Sequence, residues 1–296
     1  MGRVKTMKKK IFRGTATALV TPFRDKKIDY EALENIIETQ ILGGVGALVV
    51  GGTTGEAATL GEGERFALYE FARAKTLGRA PLILGVGTND TEEVIRRTRA
   101  AEKIGCDAAL VVTPYYNKGT IPGVTEHYLK VANCSDLPIM VYNVPNRTGV
   151  NLTLGQLEIF SKCEKIIGIK EATDSVDRFV KIAAFKDELP LYSGNDNSIY
   201  TALSLGGAGV ISVLSNLMPK RVSDICRAYF EGDYEGSLSG QLEILPLVDA
   251  IFAETNPTPI KYAMSLFGLC SPEVRLPLAM PREETRELLC GLLHKE

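Results

Sequence analysis

The chain has 296 residues, and its 34 Lys and Arg against 36 Asp and Glu give a formal net charge of -2 at pH 7. This balance predicts no basic surface for nucleic acid or for an anionic membrane. No apolar run approaches the roughly 20 residues that a membrane-spanning helix needs, so we expect a cytoplasmic protein that acts on small molecules.

Cysteine and histidine usage excludes two further classes of site. The six cysteines form no CxxC pair, which favours reduced thiols over a zinc site or a disulfide scaffold. The only histidines are His127, inside a helical pattern, and His294, near the C terminus. We therefore expect no metal site, and we expect groups other than imidazole to transfer protons.

From Gly14 onward, short runs of β-forming residues alternate with amphipathic stretches, which is typical of repeated β-α units. Eight such units favour an α/β fold of the (β/α)8 TIM-barrel type over an open doubly wound sheet, which more often stops at five or six strands. The predicted strands are Thr15–Val20, Ala47–Val50, Leu82–Val86, Ala108–Val112, Ile139–Tyr142, Ile166–Lys170, Leu191–Ser193 and Gly209–Ser212. The predicted helices between them are Tyr30–Leu42, Glu64–Gly78, Thr91–Gly105, Pro122–Cys134, Thr153–Cys163, Val176–Phe185 and Ser198–Leu205.

After Val213 the alternation stops, and helical patterns joined by Pro and Gly breaks follow. We therefore expect a catalytic barrel at residues 1–224 and a helical C-terminal extension at residues 225–296. The helices predicted in and before this extension are Met218–Glu231, Tyr234–Glu254, Pro259–Leu266 and Arg282–His294.

Lys170 is the first catalytic candidate, because it ends an apolar run that is predicted to be a buried parallel strand. Burial of an ammonium among isoleucines disfavours its charged form, and the free amine can attack a carbonyl carbon. The alternative is a lysine that extends from the strand end into water.

Loops after other strands carry further candidates, because the active sites of such barrels lie at the carboxyl ends of the strands. Gly51-Gly52-Thr53-Thr54-Gly55-Glu56 offers hydroxyl and N–H donors for a small carboxylate, or is an ordinary Gly-rich turn. Tyr115 and Tyr116 are either proton donors or packing and interface residues. Arg147 is either solvated or a bidentate clamp for a substrate carboxylate.

Three motifs together carry a family resemblance: Gly52-Thr53-Thr54-Gly55-Glu56, Tyr142-Asn143-Val144-Pro145 and Gly168-Ile169-Lys170-Glu171-Ala172. In order and spacing the chain resembles, from about Phe12 to its C-terminal helices, the dihydrodipicolinate synthase and N-acetylneuraminate lyase superfamily of class I aldolases. The resemblance implies an imine between Lys170 and pyruvate, with no other cofactor. Arg147-Thr148-Gly149 and the paired threonines resemble the synthase branch, which condenses pyruvate with L-aspartate 4-semialdehyde on the diaminopimelate route to lysine.

The same resemblance implies roles for individual residues. The implied assembly is a homotetramer, a dimer of dimers, in which Tyr116 reaches the site of a neighbouring subunit. The implied catalytic residues are Lys170, Tyr142, Thr54 and Tyr116, of which Tyr142 passes protons beside the imine. The implied substrate-binding residues are Thr53 and Thr54 for the pyruvate carboxylate, Arg147 for the semialdehyde carboxylate, and Gly194 and Ile211 for the pocket wall and its backbone carbonyls.

One departure concerns the lysine feedback pocket of the family. Asn89, Glu93 and Tyr115 match it, but Glu62 and Arg65 stand where two histidines are often found. A cation at Arg65 could repel the ε-ammonium of lysine or occupy its place. We therefore expect weak lysine inhibition or none.

Two rival functions stay open at this stage. Another pyruvate aldolase of the superfamily, such as an N-acetylneuraminate lyase or a 2-keto-3-deoxy sugar acid aldolase, would need hydroxyl partners where this chain has Arg147. A barrel that binds a ligand without catalysis would be expected to have lost Lys170 or Tyr142, and both are present.

Overall fold

The computed structural model describes Lys8 and residues 10–293. The strands are β1 Gly14–Ala18, β2 Phe23–Arg24, β3 Lys27–Ile28, β4 Ala47–Val50, β5 Leu82–Gly85, β6 Ala108–Val112, β7 Ile139–Asn143, β8 Ile166–Glu171, β9 Leu191–Ser193 and β10 Gly209–Ser212. The helices are α1 Tyr30–Leu42, α2 Glu62–Thr76, α3 Thr91–Ile104, α4 Ile121–Asn133, α5 Pro145–Thr148, α6 Leu154–Ser161, α7 Val176–Ala183, α8 Ile199–Ser204, α9 Pro219–Glu231, α10 Tyr234–Ile251, α11 Thr258–Leu266 and α12 Glu283–Leu293.

Eight of these strands, β1 and β4 to β10, form a closed barrel in which each strand lies beside its neighbour in sequence. The expected (β/α)8 barrel with additional C-terminal helices is therefore confirmed. By its internal contacts the chain divides into two compact units. We call Ile83–Ile211, with the described residues up to Arg13, the central unit, and Gly14–Leu82, with the described residues from Ser212 onward, the flanking unit.

The central unit contains strands that are buried on both faces. Every residue of β7 is buried, and β8 is buried except at Ile167. This explains the apolar runs in the sequence, since a parallel strand covered on both sides has no solvent face to alternate. Tyr192 on β9 stacks on Phe12 at 4.3 Å between ring centroids, and its hydroxyl donates to the Phe12 carbonyl oxygen at 2.8 Å.

The flanking unit combines β1, β4, α1 and α2 with the C-terminal helices. Helix α1 begins after Asp29, whose carboxylate accepts a hydrogen bond from the Ala32 N–H and so satisfies one free donor of the first turn. Helix α9 packs on β1, where the Thr15 hydroxyl donates to the Val222 carbonyl oxygen at 3.2 Å. The division expected at residue 224 falls within α9 and stays a prediction.

The predicted strands and helices agree with the structure to within about two or three residues at most ends. The predicted sets omit β2, β3 and α5. The β2–β3 hairpin has strands of only two residues, too short for a detectable alternation. Helix α5 was not among the predicted helices; it has only four residues, and Pro145 occupies its first turn. The last residue of the predicted helix Arg282–His294 lies outside the described residues.

Within residue 8 and residues 10–293, no helix has both the length and the apolar character required to cross a bilayer.

His127 on α4 is buried, and desolvation lowers its pKa from 6.5 to about 4 against a smaller opposing effect of Asp90. The unfolded chain therefore binds a proton before the folded chain does as pH falls, and stability is lost between about pH 6.5 and pH 4. We expect His127 to account for about 3 kcal/mol of that loss. Urea unfolding of the wild type and of His127→Gln at pH 7 and pH 4.5 tests this, and equal acid sensitivity of the two proteins would contradict it.

Candidate active site

Lys170 and Tyr142 lie side by side on adjacent strands of the central unit. They are paired in the register of β7 and β8. Both side chains are buried, with 5% and 6% of their surfaces exposed, and the Lys170 Nζ lies 4.3 Å from the centroid of the Tyr142 ring. The strand continues to Glu171, so Lys170 is its penultimate residue and not its last.

The Lys170 amine forms no ion pair with any residue in the described part of the chain. Among the residues that the structure describes, no carboxylate lies within salt-bridge distance of its Nζ. The face of the Tyr142 ring lies against this nitrogen, and the negative electrostatic potential of an aromatic face attracts a lysine side chain. Within the described residues, no carboxylate therefore competes with a substrate for this nitrogen.

A buried polar cluster, for which no role was predicted, lies on the opposite face of the same two strands. Asn143 and Glu171 each follow one of the two residues, and because strand side chains alternate they point to the opposite face. The Asn143 Nδ2 donates to both Glu171 carboxylate oxygens, at 2.8 and 3.0 Å, and Arg178 lies 3.3 Å from Oε2. Burial raises the pKa of the Glu171 carboxyl, and Arg178 and Asn143 oppose that effect.

This cluster ties β7 to β8 immediately beside the Lys170–Tyr142 pair. Asn143 and Glu171 belong to the family motifs Tyr-Asn-Val-Pro and Gly-Ile-Lys-Glu-Ala. The signal that could have identified them is their polarity at the end of otherwise apolar strands.

Tyr116 stands apart from the pair within the single chain. Its side chain is 90% exposed, and its backbone adopts a φ of 68°, which is unusual for a residue with a Cβ. It makes no hydrogen bond or ring contact with any other described residue. The neighbouring Tyr115 hydroxyl lies 3.3 Å from the Thr88 hydroxyl.

The other candidates of the central unit lie after β7, after β9 and within β10. Arg147 is exposed on α5, directly after β7. Gly194 follows β9, where a Cβ would lie only 2.7 Å from the Ala172 Cβ, so a larger residue does not fit. Ile211 is fully buried in β10.

The paired threonines lie in the flanking unit, on the loop after β4. Two backbone hydrogen bonds form the turn: the Gly55 N–H donates to the Gly52 carbonyl, and the Glu56 N–H to that of Thr53. Thr53 is half-buried, whereas Thr54 is 3% exposed and its hydroxyl oxygen accepts a hydrogen bond from Asn256 at 2.9 Å. Asn256 was missed, because nothing in the sequence links positions 202 residues apart.

Glu93, which matches the family's lysine pocket, and Arg65, which replaces a histidine of it, are both engaged in other contacts. Glu93 forms ion pairs with Arg96 at 2.8 Å and with Arg97 at 2.6 Å, and these arginines hold the pKa of its carboxyl below the ordinary value. In the flanking unit, Arg65 is 4% exposed and its guanidinium donates to the Ala57 carbonyl oxygen at 2.6 Å.

Comparison with known proteins points to one family. The sequence profile described as the Dihydrodipicolinate synthetase family matches residues 11–296. The 4-hydroxy-tetrahydrodipicolinate synthase of Thermotoga neapolitana is 44% identical over 290 residues, covering 96% of this chain and 99% of that protein. That of Alkaliphilus oremlandii is 42% identical over 287 residues, covering 97% and 99%.

Solved structures agree with these sequence relatives. The dihydrodipicolinate synthase of Thermotoga maritima superposes with a TM-score of 0.94 at 41% identity, covering 96% of this chain and 98% of that one. At this identity and coverage the likeness extends well beyond a shared barrel fold. The chain belongs to the dihydrodipicolinate synthetase family.

Proposed function

We propose that this chain is a 4-hydroxy-tetrahydrodipicolinate synthase, which condenses pyruvate with L-aspartate 4-semialdehyde through an imine on Lys170. The observation that carries the proposal is the buried amine of Lys170 beside the Tyr142 ring. The 44% identical relative bearing that name supports the choice of reaction.

The reaction begins when the Lys170 amine attacks the ketone carbon of pyruvate. Loss of water leaves a protonated imine, whose positive nitrogen withdraws electrons and makes a methyl proton acidic. Removal of that proton gives an enamine, and its carbon attacks the aldehyde of the second substrate. The amine of the second substrate then attacks the imine carbon, closes the ring and releases the Lys170 amine. No cofactor other than this covalent imine is required.

Proton transfer and carboxylate binding are assigned by family membership. Tyr142 passes protons beside the imine, together with Thr54 and Tyr116. Thr53 and Thr54 bind the pyruvate carboxylate through hydroxyl and N–H donors. The remaining assignments are Arg147 as the clamp for the semialdehyde carboxylate, with Gly194 and Ile211 in the pocket wall.

The exposure of Tyr116 supports a site shared between subunits. This tyrosine is 90% exposed and has a strained φ of 68°, and no hydrogen bond or ring contact with another described residue explains that conformation. Reaching into a neighbouring subunit would bury this ring. We propose a homotetramer, a dimer of dimers, in the cytoplasm.

Two assays test the function. Incubation with pyruvate and borohydride should add the reduced pyruvyl group at Lys170, as located by peptide mapping. Steady-state assays should then show turnover with pyruvate and aspartate semialdehyde and none with N-acetylneuraminate or 2-keto-3-deoxy sugar acids. Turnover of a sugar acid alone would favour a lyase, and an adduct at another residue would overturn the mechanism.

We expect weak lysine inhibition or none. The Arg65 guanidinium stands where the family often has a histidine, and Glu93 is already neutralised by Arg96 and Arg97. The Arg65 cation should therefore repel the lysine ammonium, and the paired Glu93 carboxylate should attract it only weakly. Initial rates with 0 to about 10 mM lysine, with Arg65→His as the matched variant, measure this. Micromolar inhibition of the wild type would contradict it.

A further inference from the structure

Asn256, which precedes helix α11, contacts the substrate-binding loop of the flanking unit directly. Its side chain is 6% exposed, and its Nδ2 donates to the Thr54 hydroxyl oxygen at 2.9 Å. A hydroxyl that accepts from an amide N–H must direct its own proton elsewhere, since a threonine hydroxyl has one proton and two lone pairs. The contact therefore restricts where Thr54 can donate.

The next polar residue of the same loop, Glu56, is also held by the C-terminal segment. The Lys261 Nζ lies 2.8 Å from Oε1, and the two side chains are 0% and 1% exposed. The backbone N–H of Arg275 donates to Oε2 at 2.9 Å. Both carboxylate oxygens are thus bound by residues more than 200 positions away along the chain.

Further contacts complete this arrangement around the loop. Lys261 also donates to the Thr21 carbonyl oxygen at 2.9 Å. The Thr21 hydroxyl in turn donates to the Gly55 carbonyl oxygen at 2.7 Å. Glu56 itself has a φ of 54°, a backbone conformation that costs energy for a residue with a Cβ. The surrounding contacts hold it there.

We propose that the C-terminal segment from Asn256 to Arg275 positions the carboxylate-binding loop, and that Asn256 sets the direction of the Thr54 hydroxyl proton. The inference rests on the proposed function, in which Thr54 donates to the pyruvate carboxylate. Asn256 is then a positioning residue that acts through Thr54, and helix α11 contributes to catalysis as well as to packing.

Two substitutions at position 256 distinguish the loss of this hydrogen bond from the reversal of its direction. Asn256→Ala removes the bond, and kcat/KM for pyruvate should fall about tenfold, mainly through KM. Asn256→Asp places an acceptor opposite Thr54, which turns the hydroxyl proton away from the substrate, and kcat/KM should fall about 100-fold at pH 8. A kcat/KM of Asn256→Asp that equals or exceeds that of Asn256→Ala at every pH from 6 to 9 would overturn the inference.

The pH profile gives a readout that a purely structural role would not change. In the Asn256→Asp variant, protonation converts the buried carboxylate into a hydrogen-bond donor, which restores the donor that the wild-type amide supplies. The deficit of this variant relative to wild type should therefore shrink as pH falls. A deficit that is constant over the same range argues against control of the hydroxyl direction.

A double-mutant cycle tests whether Asn256 acts through Thr54. In a Thr54→Val background neither change at position 256 should lower kcat/KM further, because the hydroxyl is already absent. If changes at position 256 lowered kcat/KM as much in the Thr54→Val background as in the wild type, the coupling would be refuted. The cycle stays informative if a variant is less stable. The thermal unfolding midpoint of each variant is measured in parallel, and activity is assayed at a temperature below it.

Ser237→Ala is the matched control within the C-terminal helices. The Ser237 hydroxyl is buried and donates to the Ile225 carbonyl oxygen at 2.9 Å, so the change removes a comparable hydrogen bond elsewhere. We expect a similar loss of stability with unchanged kcat/KM. Absence of the wild-type borohydride adduct at Lys170 would refute the proposed function itself, whereas an adduct together with unaltered kinetics of Asn256→Asp would refute only this inference.

Discussion

Lys170→Met is expected to lower kcat by at least about 10³-fold, because the variant has no amine to form the imine. Methionine is similar to lysine in length and is apolar, so it fits the buried position beside Tyr142 without leaving an unpaired polar group. Steady-state turnover with pyruvate and aspartate semialdehyde measures the loss. Mass spectrometry after borohydride reduction should find no pyruvyl adduct.

Lys165→Met serves as the control for this prediction. Lys165 lies just before β8, and its Nζ donates to the Ser135 carbonyl oxygen at 2.7 Å. The substitution changes a lysine near the same strand without removing the buried amine, so turnover should stay at the wild-type level. Wild-type turnover by Lys170→Met or Lys170→Arg would eliminate the imine mechanism.

Lys261→Met is expected to destabilise the protein by about 3–5 kcal/mol, because it leaves the Glu56 carboxylate buried without its cation. The pair is almost completely excluded from solvent, with side chains 0% and 1% exposed. Urea unfolding at pH 7 measures the change. The double variant Lys261→Met/Glu56→Gln removes both charges and should recover most of the stability.

Lys181→Met provides the comparison with an exposed ion pair. Its partner is Asp177 at 2.6 Å, and the two side chains are 52% and 71% exposed. Loss of such a pair should change stability by less than about 1 kcal/mol. If Lys261→Met were no more destabilising than Lys181→Met, the buried pair would not be an important contributor to stability.

The barrel strands were predictable because burial on both faces leaves a strong local signal. Runs such as Ala47–Val50 and Ala108–Val112 contain only apolar residues and appear as strands with the same bounds in the structure. The strands of the β2–β3 hairpin leave no such signal, because two residues are too few to show an alternation.

The candidate site was only partly predictable, because some of its residues have a local sequence signal and others are joined only by contacts between distant positions. Lys170 was recognisable from its position at the end of an apolar strand and from the family motif around it. Lys261 is even more deeply buried, yet it lies in a helix, where a lysine is ordinarily interpreted as solvent-exposed. Its partner Glu56 is 205 positions away, so no periodicity or local spacing could connect them.

The sequence by itself determined the order and type of the barrel strands and the main helices, the family, and the choice of Lys170 as the candidate nucleophile, because hydrophobic periodicity and short motifs are local properties of the chain. Only the tertiary structure decided which residues support that chemistry. Asn256 reaches Thr54, and Asn143 binds Glu171 behind Lys170, through hydrogen bonds made when distant segments pack together. A buried polar group needs a partner, and folding alone determines which partner lies within reach.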